Sequence, residues 1–182
     1  FGINMIPVEL TGEGPDLESV RELVLKDQSI KGIWCVPKHS NPTGEIYSKK
    51  TTEGLLKISK EAEQNFKIFW DNAYAIHDFK DSTQLEDIFS LAKDIDALDS
   101  VVAFASTSKM TYAGSGIGFL ALSESNLDLF LKHYLALVIG PDKVNQAKHV
   151  KFFRKNGGVL SHMKKHAEIL KPKFELVDNW LS

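Results

Sequence analysis

Arginine is scarce in this chain. Of its 22 basic residues only Arg21 and Arg154 are arginines, and the formal net charge is −2. Arginine is the side chain best suited to bind a carboxylate or phosphate through two parallel hydrogen bonds, so few such contacts are available here. A balanced charge also gives no electrostatic basis for binding nucleic acid or an anionic membrane surface. We therefore expect small-molecule partners, with no nucleic acid and no membrane.

Cysteine and long apolar runs are also lacking. The single cysteine, Cys35, excludes an internal disulfide, which favours the cytoplasm. It lies in the apolar run GIWCVP, so we expect a buried thiol. No run approaches the ~20 apolar residues that a membrane-spanning helix needs. With 182 residues, 43% of them hydrophobic and 25% charged, the chain can form a domain with a substantial core.

Short apolar runs alternate with segments of helical spacing. Runs rich in β-branched and aromatic residues are predicted as strands: INMIPVEL (3–10), KGIWCVP (31–37), FKIFWDNAY (66–74) and VVAFAS (101–106). Helices are predicted between them, over 16–25 with Asp16 as N-cap, over 51–63 and over 85–95. This alternation is typical of right-handed crossover units. We predict an α/β fold, a three-layer α/β/α arrangement around a mostly parallel sheet.

The pattern changes after the last of these strands. The apolar segment GIGFLALS (116–123) follows a short glycine-rich loop that leaves no room for a crossover helix. This strand should therefore run antiparallel or leave the local order. From about Ser123 the spacing is helical to the end, with breaks predicted at Gly140-Pro141 and at 156–158.

Three polar motifs follow successive predicted strands: NPTG (41–44), DNAY (71–74) and STSK (106–109). Ligands of open α/β sheets bind at the carboxyl ends of the strands, where these motifs would converge. Each motif alone has an ordinary structural explanation. NPTG is a favourable turn, Asp71 could cap a helix, and Lys109 could extend its stem along apolar surface towards water.

Each motif also has a chemical interpretation. Asn41 could donate a hydrogen bond to a ligand oxygen, and Asp71, at the edge of an apolar region, could hold a positively charged group that Tyr74 also reaches. Small hydroxyls and glycine-exposed N–H groups suit a phosphate. A lysine in a partly buried site loses proton affinity and can act as a nucleophile, which is the chemical interpretation of Lys109.

The spacing of the three motifs together resembles the class I aminotransferase family of fold-type I enzymes that use pyridoxal 5′-phosphate. NPTG is followed about thirty residues later by D-x-x-Y and about thirty-five residues after that by S-x-S-K, so the resemblance spans nearly the whole chain. Within the family the chain is most similar to aspartate aminotransferases and to the aminotransferase-like domains of MocR-type regulators.

The resemblance implies a role for each motif residue. Lys109 would form the Schiff base with the cofactor aldehyde and later move a proton at the substrate Cα. Asp71 would keep the pyridine nitrogen protonated, which makes the ring an electron sink. Asn41 and Tyr74 would bind the ring's phenolic oxygen, and Ser106 and Ser108 the phosphate. The implied catalytic residues are Lys109, Asp71 and Tyr74, and no metal is expected.

One position departs from the family pattern. The family usually places a phosphate-binding arginine shortly after the lysine, where this chain has Gly116 or Ile117. Hydroxyls, backbone N–H groups or residues outside the chain must then hold the phosphate. Other candidates are weaker: His162 and His166, one helical turn apart, are interpreted as a solvated helix face rather than a metal site, and His39 receives no role.

The resemblance implies a transaminase that acts on an amino acid, with aspartate as a candidate, and a 2-oxo acid, and that works as a homodimer. Residues 1–140 would be part of the cofactor-binding domain, and 141–182 a helical segment leading towards a smaller domain. Since the chain begins at Phe1 inside a patterned run, we expect a part of a longer protein that is inactive alone. Two alternatives remain: a non-catalytic effector domain of a MocR-type regulator, and a lyase with the same cofactor.

Overall fold

A four-stranded mixed sheet forms the centre of the molecule. The computed structural model describes residues 2–79, 84–111 and 113–181. The strands lie side by side in chain order: β1 (Gly32–Cys35), β2 (Lys67–Asp71), β3 (Val101–Ser106) and β4 (Gly118–Leu122). The first three are parallel, and β4 pairs antiparallel to β3 with Gly118 opposite Ser106. Of the two alternatives expected after the short glycine-rich loop, the structure shows the antiparallel direction.

Within the described residues, six α-helices and one short 3₁₀ helix connect and extend the sheet. They are α1 (Leu17–Lys26), α2 (Lys49–Glu61), α3 (Ile88–Asp94), the 3₁₀ turn Leu98–Ser100, α4 (Glu124–Leu137), α5 (Lys143–Lys155) and α6 (Val159–Leu181). Asp16 caps α1 as predicted, since its carboxylate accepts hydrogen bonds from the N–H groups of Glu18 and Ser19. Both predicted breaks, at Gly140-Pro141 and at 156–158, fall between helices. The α/β prediction is confirmed.

The main core lies between one face of the sheet and helices α1 to α3. Its fully buried members include Leu55 and Leu56 of α2, Ile68 and Trp70 of β2, and Val101 of β3. Cys35 is also fully buried here, as predicted, and burial raises the pKa of its thiol to about 12 although the thiol also contacts Tyr47. This packing fixes the three parallel strands and therefore the positions where they end.

The opposite face of the sheet is aromatic. Trp34, Phe69 and Phe104, one from each parallel strand, stack with ring centroids 5.5–6.3 Å apart. Trp34 is nevertheless 55% exposed. Within the described residues, no helical layer therefore covers this part of the sheet.

The strand predicted over residues 3–10 is wrong. This segment forms only an isolated bridge between Leu10 and Pro15, and Ile3 and Met5 are 74% and 79% exposed. A strand needs hydrogen bonds from a neighbour, and no strand in the described part of the chain lies beside this segment.

No helix among the described residues combines the length and the hydropathy needed to cross a membrane.

Candidate active site

The three polar motifs meet at one edge of the sheet. Because β1, β2 and β3 are parallel, the loops that follow them emerge on the same side. Antiparallel β4 begins at this edge, beside the end of β3. The convergence predicted from the sequence is thus present in the fold.

Asn41 lies at the tip of the loop after β1. Backbone hydrogen bonds close this loop, from the N–H of Tyr47 to the carbonyl of Pro37 (2.8 Å) and from the N–H of Ser40 to the carbonyl of Glu45 (3.1 Å). Gly44 has φ of 76°, a conformation that favours glycine. The tip is a turn, as its sequence predicts, and it leaves Asn41 exposed.

Asp71 is the last residue of β2 and does not cap a helix. It is half-buried, and the next N–H, that of Asn72, still pairs with the carbonyl of Phe104 on β3 at 2.8 Å. This pairing extends the sheet one residue further and holds the Asp71 backbone firmly. Tyr74 follows in a turn that ends with a hydrogen bond from the N–H of His77 to the Tyr74 carbonyl (3.2 Å).

Lys109 lies close to Tyr74. Its Nζ is 5.1 Å from the centroid of the Tyr74 ring, within cation–π range. The two residues come from different strand-end loops, 35 positions apart in the sequence, so this contact joins two of the three motifs. Lys109 is exposed, so the partly buried lysine of the sequence interpretation is not seen in this chain.

The serines before Lys109 form a tight turn. Ser106 Oγ accepts a hydrogen bond from the N–H of Ser108 (3.2 Å), and buried Thr107 pairs in both directions with the backbone of Ile117 (2.9 and 3.0 Å). A Cβ added to Gly116 would lie 2.5 Å from Ser108 Oγ and 2.7 Å from Ser108 N. Gly116 therefore cannot be replaced by a larger residue unless Ser108 moves, and Gly116 or Ile117 occupies the position of the family's usual arginine.

Neither arginine of the chain takes the place of the family's usual phosphate-binding arginine. Arg21 forms an ion pair with Glu61 of α2 (2.6 Å), on the surface helix predicted for it. Arg154 lies exposed near the end of α5. The phosphate contacts available at this edge are hydroxyl and backbone N–H groups.

A buried ionic cluster beside these loops was missed by sequence reasoning. The Asp78 carboxylate bonds Lys38 Nζ at 2.8 Å and His39 Nε2 at 2.9 Å, and Lys38 is only 4% exposed. Burial opposes ionisation of Asp78, but the hydrogen bonds and charges of Lys38 and His39 outweigh it and hold the pKa of the carboxyl below its ordinary value. No sequence pattern signals a pairing across about forty residues.

The histidines of α6 are not simply solvated. His162 lies between the rings of Phe152, Phe153 and His166, and its Nε2 is 2.7 Å from the carbonyl oxygen of Met110, next to Lys109. The prediction of a solvated helix face is therefore wrong for His162. In the described ranges, no group of three or more His, Cys, Asp or Glu side chains could hold a metal ion.

Comparison with known proteins identifies the family of this chain. The family model described as aspartate amino-transferase matches residues 1–182. The aspartate aminotransferase of Corynebacterium glutamicum is 40% identical over 178 residues, which are 97% of this chain and 41% of that protein.

Solved structures give the same result. An aspartate transaminase structure from C. glutamicum matches with a TM-score of 0.88 and 39% identity over 96% of this chain and 41% of its own. A second solved structure is the α-aminoadipate aminotransferase LysN from Thermus thermophilus, complexed with N-(5′-phosphopyridoxyl)-L-leucine. It shares the fold with a TM-score of 0.76 and 20% identity, over 96% of this chain and 44% of its own. The chain thus spans about two fifths of the length of these proteins. It belongs to the aspartate aminotransferase family.

Proposed function

We propose that this chain contains the cofactor-binding site of a pyridoxal-phosphate-dependent aminotransferase. The reaction would move an amino group between an amino acid, with aspartate as the first candidate, and a 2-oxo acid. The observation that carries this proposal is the contact of Lys109 with Tyr74 at the sheet edge where β2 ends in Asp71. Residues 1–140 would form part of the cofactor domain and 141–182 the helical link to a smaller domain.

The side chains at this edge suit pyridoxal phosphate. Gly116 lies directly against Ser108, where an added Cβ would be 2.5 Å from the Ser108 hydroxyl oxygen, so glycine at this position keeps the serine turn compact. The serine turn offers the Ser106 and Ser108 hydroxyls as donors to that anion. Tyr74 and Asn41 supply further donors from two other loops, and Asp71 supplies the one carboxylate that directly ends a parallel strand.

The cofactor, when bound, supplies an electron-withdrawing ring that stabilises negative charge at the substrate Cα. Asp71 would hold a proton on the pyridine nitrogen, because an adjacent carboxylate favours the cationic form of that nitrogen. Lys109 would bond the aldehyde through its amine and, once released, carry a proton to and from Cα. Tyr74 and Asn41 would orient the ring by donating to its phenolic oxygen.

We also propose that the protein is a cytoplasmic homodimer. Support for a subunit contact comes from the large apolar side chains exposed along α4 and just beyond it: Leu129 (56%), Leu135 (60%), Leu137 (84%) and Ile139 (104%). Such a surface is typically covered by protein. Analytical ultracentrifugation of the intact protein should give twice the subunit mass, whereas a monomer over the same concentrations would contradict the dimer.

Amino-transfer stoichiometry tests the proposed reaction. The intact protein is incubated with ¹⁵N-labelled aspartate and 2-oxoglutarate, and the label should appear in glutamate with no free ammonia. Release of labelled ammonia or loss of the aspartate side chain would instead indicate a lyase. Absence of any turnover with a range of amino donors, despite bound cofactor, would favour a non-catalytic domain, an alternative that the aminotransferase relatives do not favour.

A further inference from the structure

The Lys38–Asp78–His39 cluster is a costly arrangement that the proposed reaction does not use directly. Lys38 is 4% exposed and the Asp78 side chain 16%. Removing two charges from water costs several kcal/mol for each, and only close pairing offsets that loss. Lys38 Nζ satisfies a second hydrogen bond by donating to the carbonyl of Ala75 at 3.1 Å. Each of the three side chains therefore has a close polar partner within the cluster.

The cluster joins two of the site loops. Lys38 and His39 lie two to three residues before Asn41, in the loop after β1. Ala75 and Asp78 lie in the loop after β2, and the Ala75 carbonyl directly follows Tyr74 in the chain. Every bond of the cluster thus runs from the loop that carries Asn41 to the loop that carries Tyr74.

The backbone of His39 shows that the cluster constrains its loop. His39 has φ of 51°, in the left-handed region that non-glycine residues rarely occupy. Such a conformation persists where surrounding contacts hold it, and here the ring of His39 is held by Asp78 Oδ1 at 2.9 Å.

A weaker contact extends from the cluster to the third loop. His77, next to Asp78, places Nε2 3.3 Å from the carbonyl oxygen of Lys109. Burial lowers the pKa of His77 below its ordinary value, which favours the neutral ring. Because a carbonyl oxygen can only accept, the Nε2–H group of His77 is the donor in this contact. The segment Ala75–Asp78 therefore contacts side chains of the loop after β1 and the backbone of the loop after β3.

We propose that Asp78 is a positioning residue that holds Tyr74 where its hydroxyl can donate to the phenolic oxygen of the bound cofactor. Asp78 does so by fixing the segment that follows Tyr74 against Lys38 and His39. This inference rests on the proposed function, because its readout is the absorption of bound pyridoxal phosphate. Asp78 itself touches neither cofactor nor substrate.

The test compares the intact protein with Asp78→Asn, Tyr74→Phe and the double variant. The measurement is the pH midpoint at which the visible absorption of bound pyridoxal phosphate changes. A donor on the phenolic oxygen competes with the protonated Lys109 nitrogen for that oxygen, so loss of the donor raises the midpoint. Tyr74→Phe and Asp78→Asn should each raise it, by about one pH unit. The double variant should show little more than Tyr74→Phe alone.

Asp96→Asn is the matched control. Asp96 also pairs with a lysine, Lys60 at 3.2 Å, and also has a left-handed φ of 57°, but it lies outside the site loops. Its midpoint should equal that of the unaltered protein. If Asp78→Asn does not fold, His39→Asn replaces it. Asparagine tolerates the left-handed conformation, and loss of the ring removes one of the Asp78 bonds, so a smaller rise is expected.

An unchanged midpoint in Asp78→Asn or its replacement, alongside a raised one in Tyr74→Phe, overturns the inference and leaves the proposed function intact. Fully additive shifts in the double variant also overturn it, because Asp78 would then act independently of Tyr74. If the unaltered protein forms no coloured complex with pyridoxal phosphate, the proposed function fails and the inference fails with it.

Discussion

Asp71 is a carboxylate that follows the apolar run Ile68–Trp70 in β2, and the continued pairing of β2 with β3 holds its backbone in place. Its proposed interaction with the ring nitrogen would become stronger as negative charge develops on the ring during proton transfer. In the proposed site, the phosphate contacts and the Lys109 bond would supply most of the anchoring of the cofactor. We therefore expect Asp71 to affect the rate of the reaction more than the retention of the cofactor.

Asp71→Asn in the intact protein should lower turnover by about a hundredfold, since loss of a transition-state charge contact costs on the order of 3 kcal/mol. The fraction of protein that keeps bound cofactor, measured by absorption after gel filtration, should change little. Asp94→Asn is the control, because Asp94 lies at the end of α3, outside the three motifs. Near-normal turnover of Asp71→Asn would refute the assigned role.

The turn between β3 and β4 positions the serine hydroxyls that we propose bind the phosphate. Gly116→Ala places a Cβ within 3 Å of both backbone and side-chain atoms of Ser108, so the turn must move. Overpacking of this kind costs about 1–3 kcal/mol. The affinity for pyridoxal phosphate should fall at least tenfold, as measured by equilibrium titration of the intact apoprotein.

Gly118→Ala is the matched control for that turn. Gly118 opens β4 two residues later, has no atom within 4 Å of an added Cβ, and has a backbone conformation open to alanine. Its affinity for the cofactor should stay within about twofold of the unaltered protein. Equal losses in both variants would show that β4 as a whole, and not the contact with Ser108, determines binding.

Local signals predicted the elements that depend on local physics. The Asp16 cap and the apolar spacing that follows it predict α1, and the loop too short for a crossover helix argues against a parallel strand beside β3. The apolar run 3–10 was misinterpreted because strand formation depends on a neighbour, which no local pattern reveals. The bond between Lys38 and Asp78 was missed for the same reason: it joins residues forty positions apart.

At the scale of the whole molecule, the two arginines limit what the chain can do alone. A planar guanidinium binds a substrate carboxylate as lysine cannot, but Arg21 is paired with Glu61 and Arg154 lies in α5 outside the three motifs. The relatives are more than twice as long as the stretch they share with this chain. Substrate orientation would then require residues beyond these 182.

Residues 1–182 expressed alone should therefore give no sustained transamination. The purified chain is mixed with pyridoxal phosphate, and keto acid formation is followed from aspartate, alanine and glutamate. The intact protein, assayed in parallel, should turn over with at least one of them. Many turnovers by the 182-residue chain would show that it contains a carboxylate-binding site of its own.

Reductive trapping shows which lysine bonds the cofactor. The intact protein with pyridoxal phosphate is reduced with borohydride, digested, and mapped by mass spectrometry. The pyridoxyl group should be found on Lys109, in the peptide that contains STSK, and should be absent from that peptide in Lys109→Ala. A stoichiometric label on any other lysine, with Lys109 unmodified, would contradict the proposed role of Lys109.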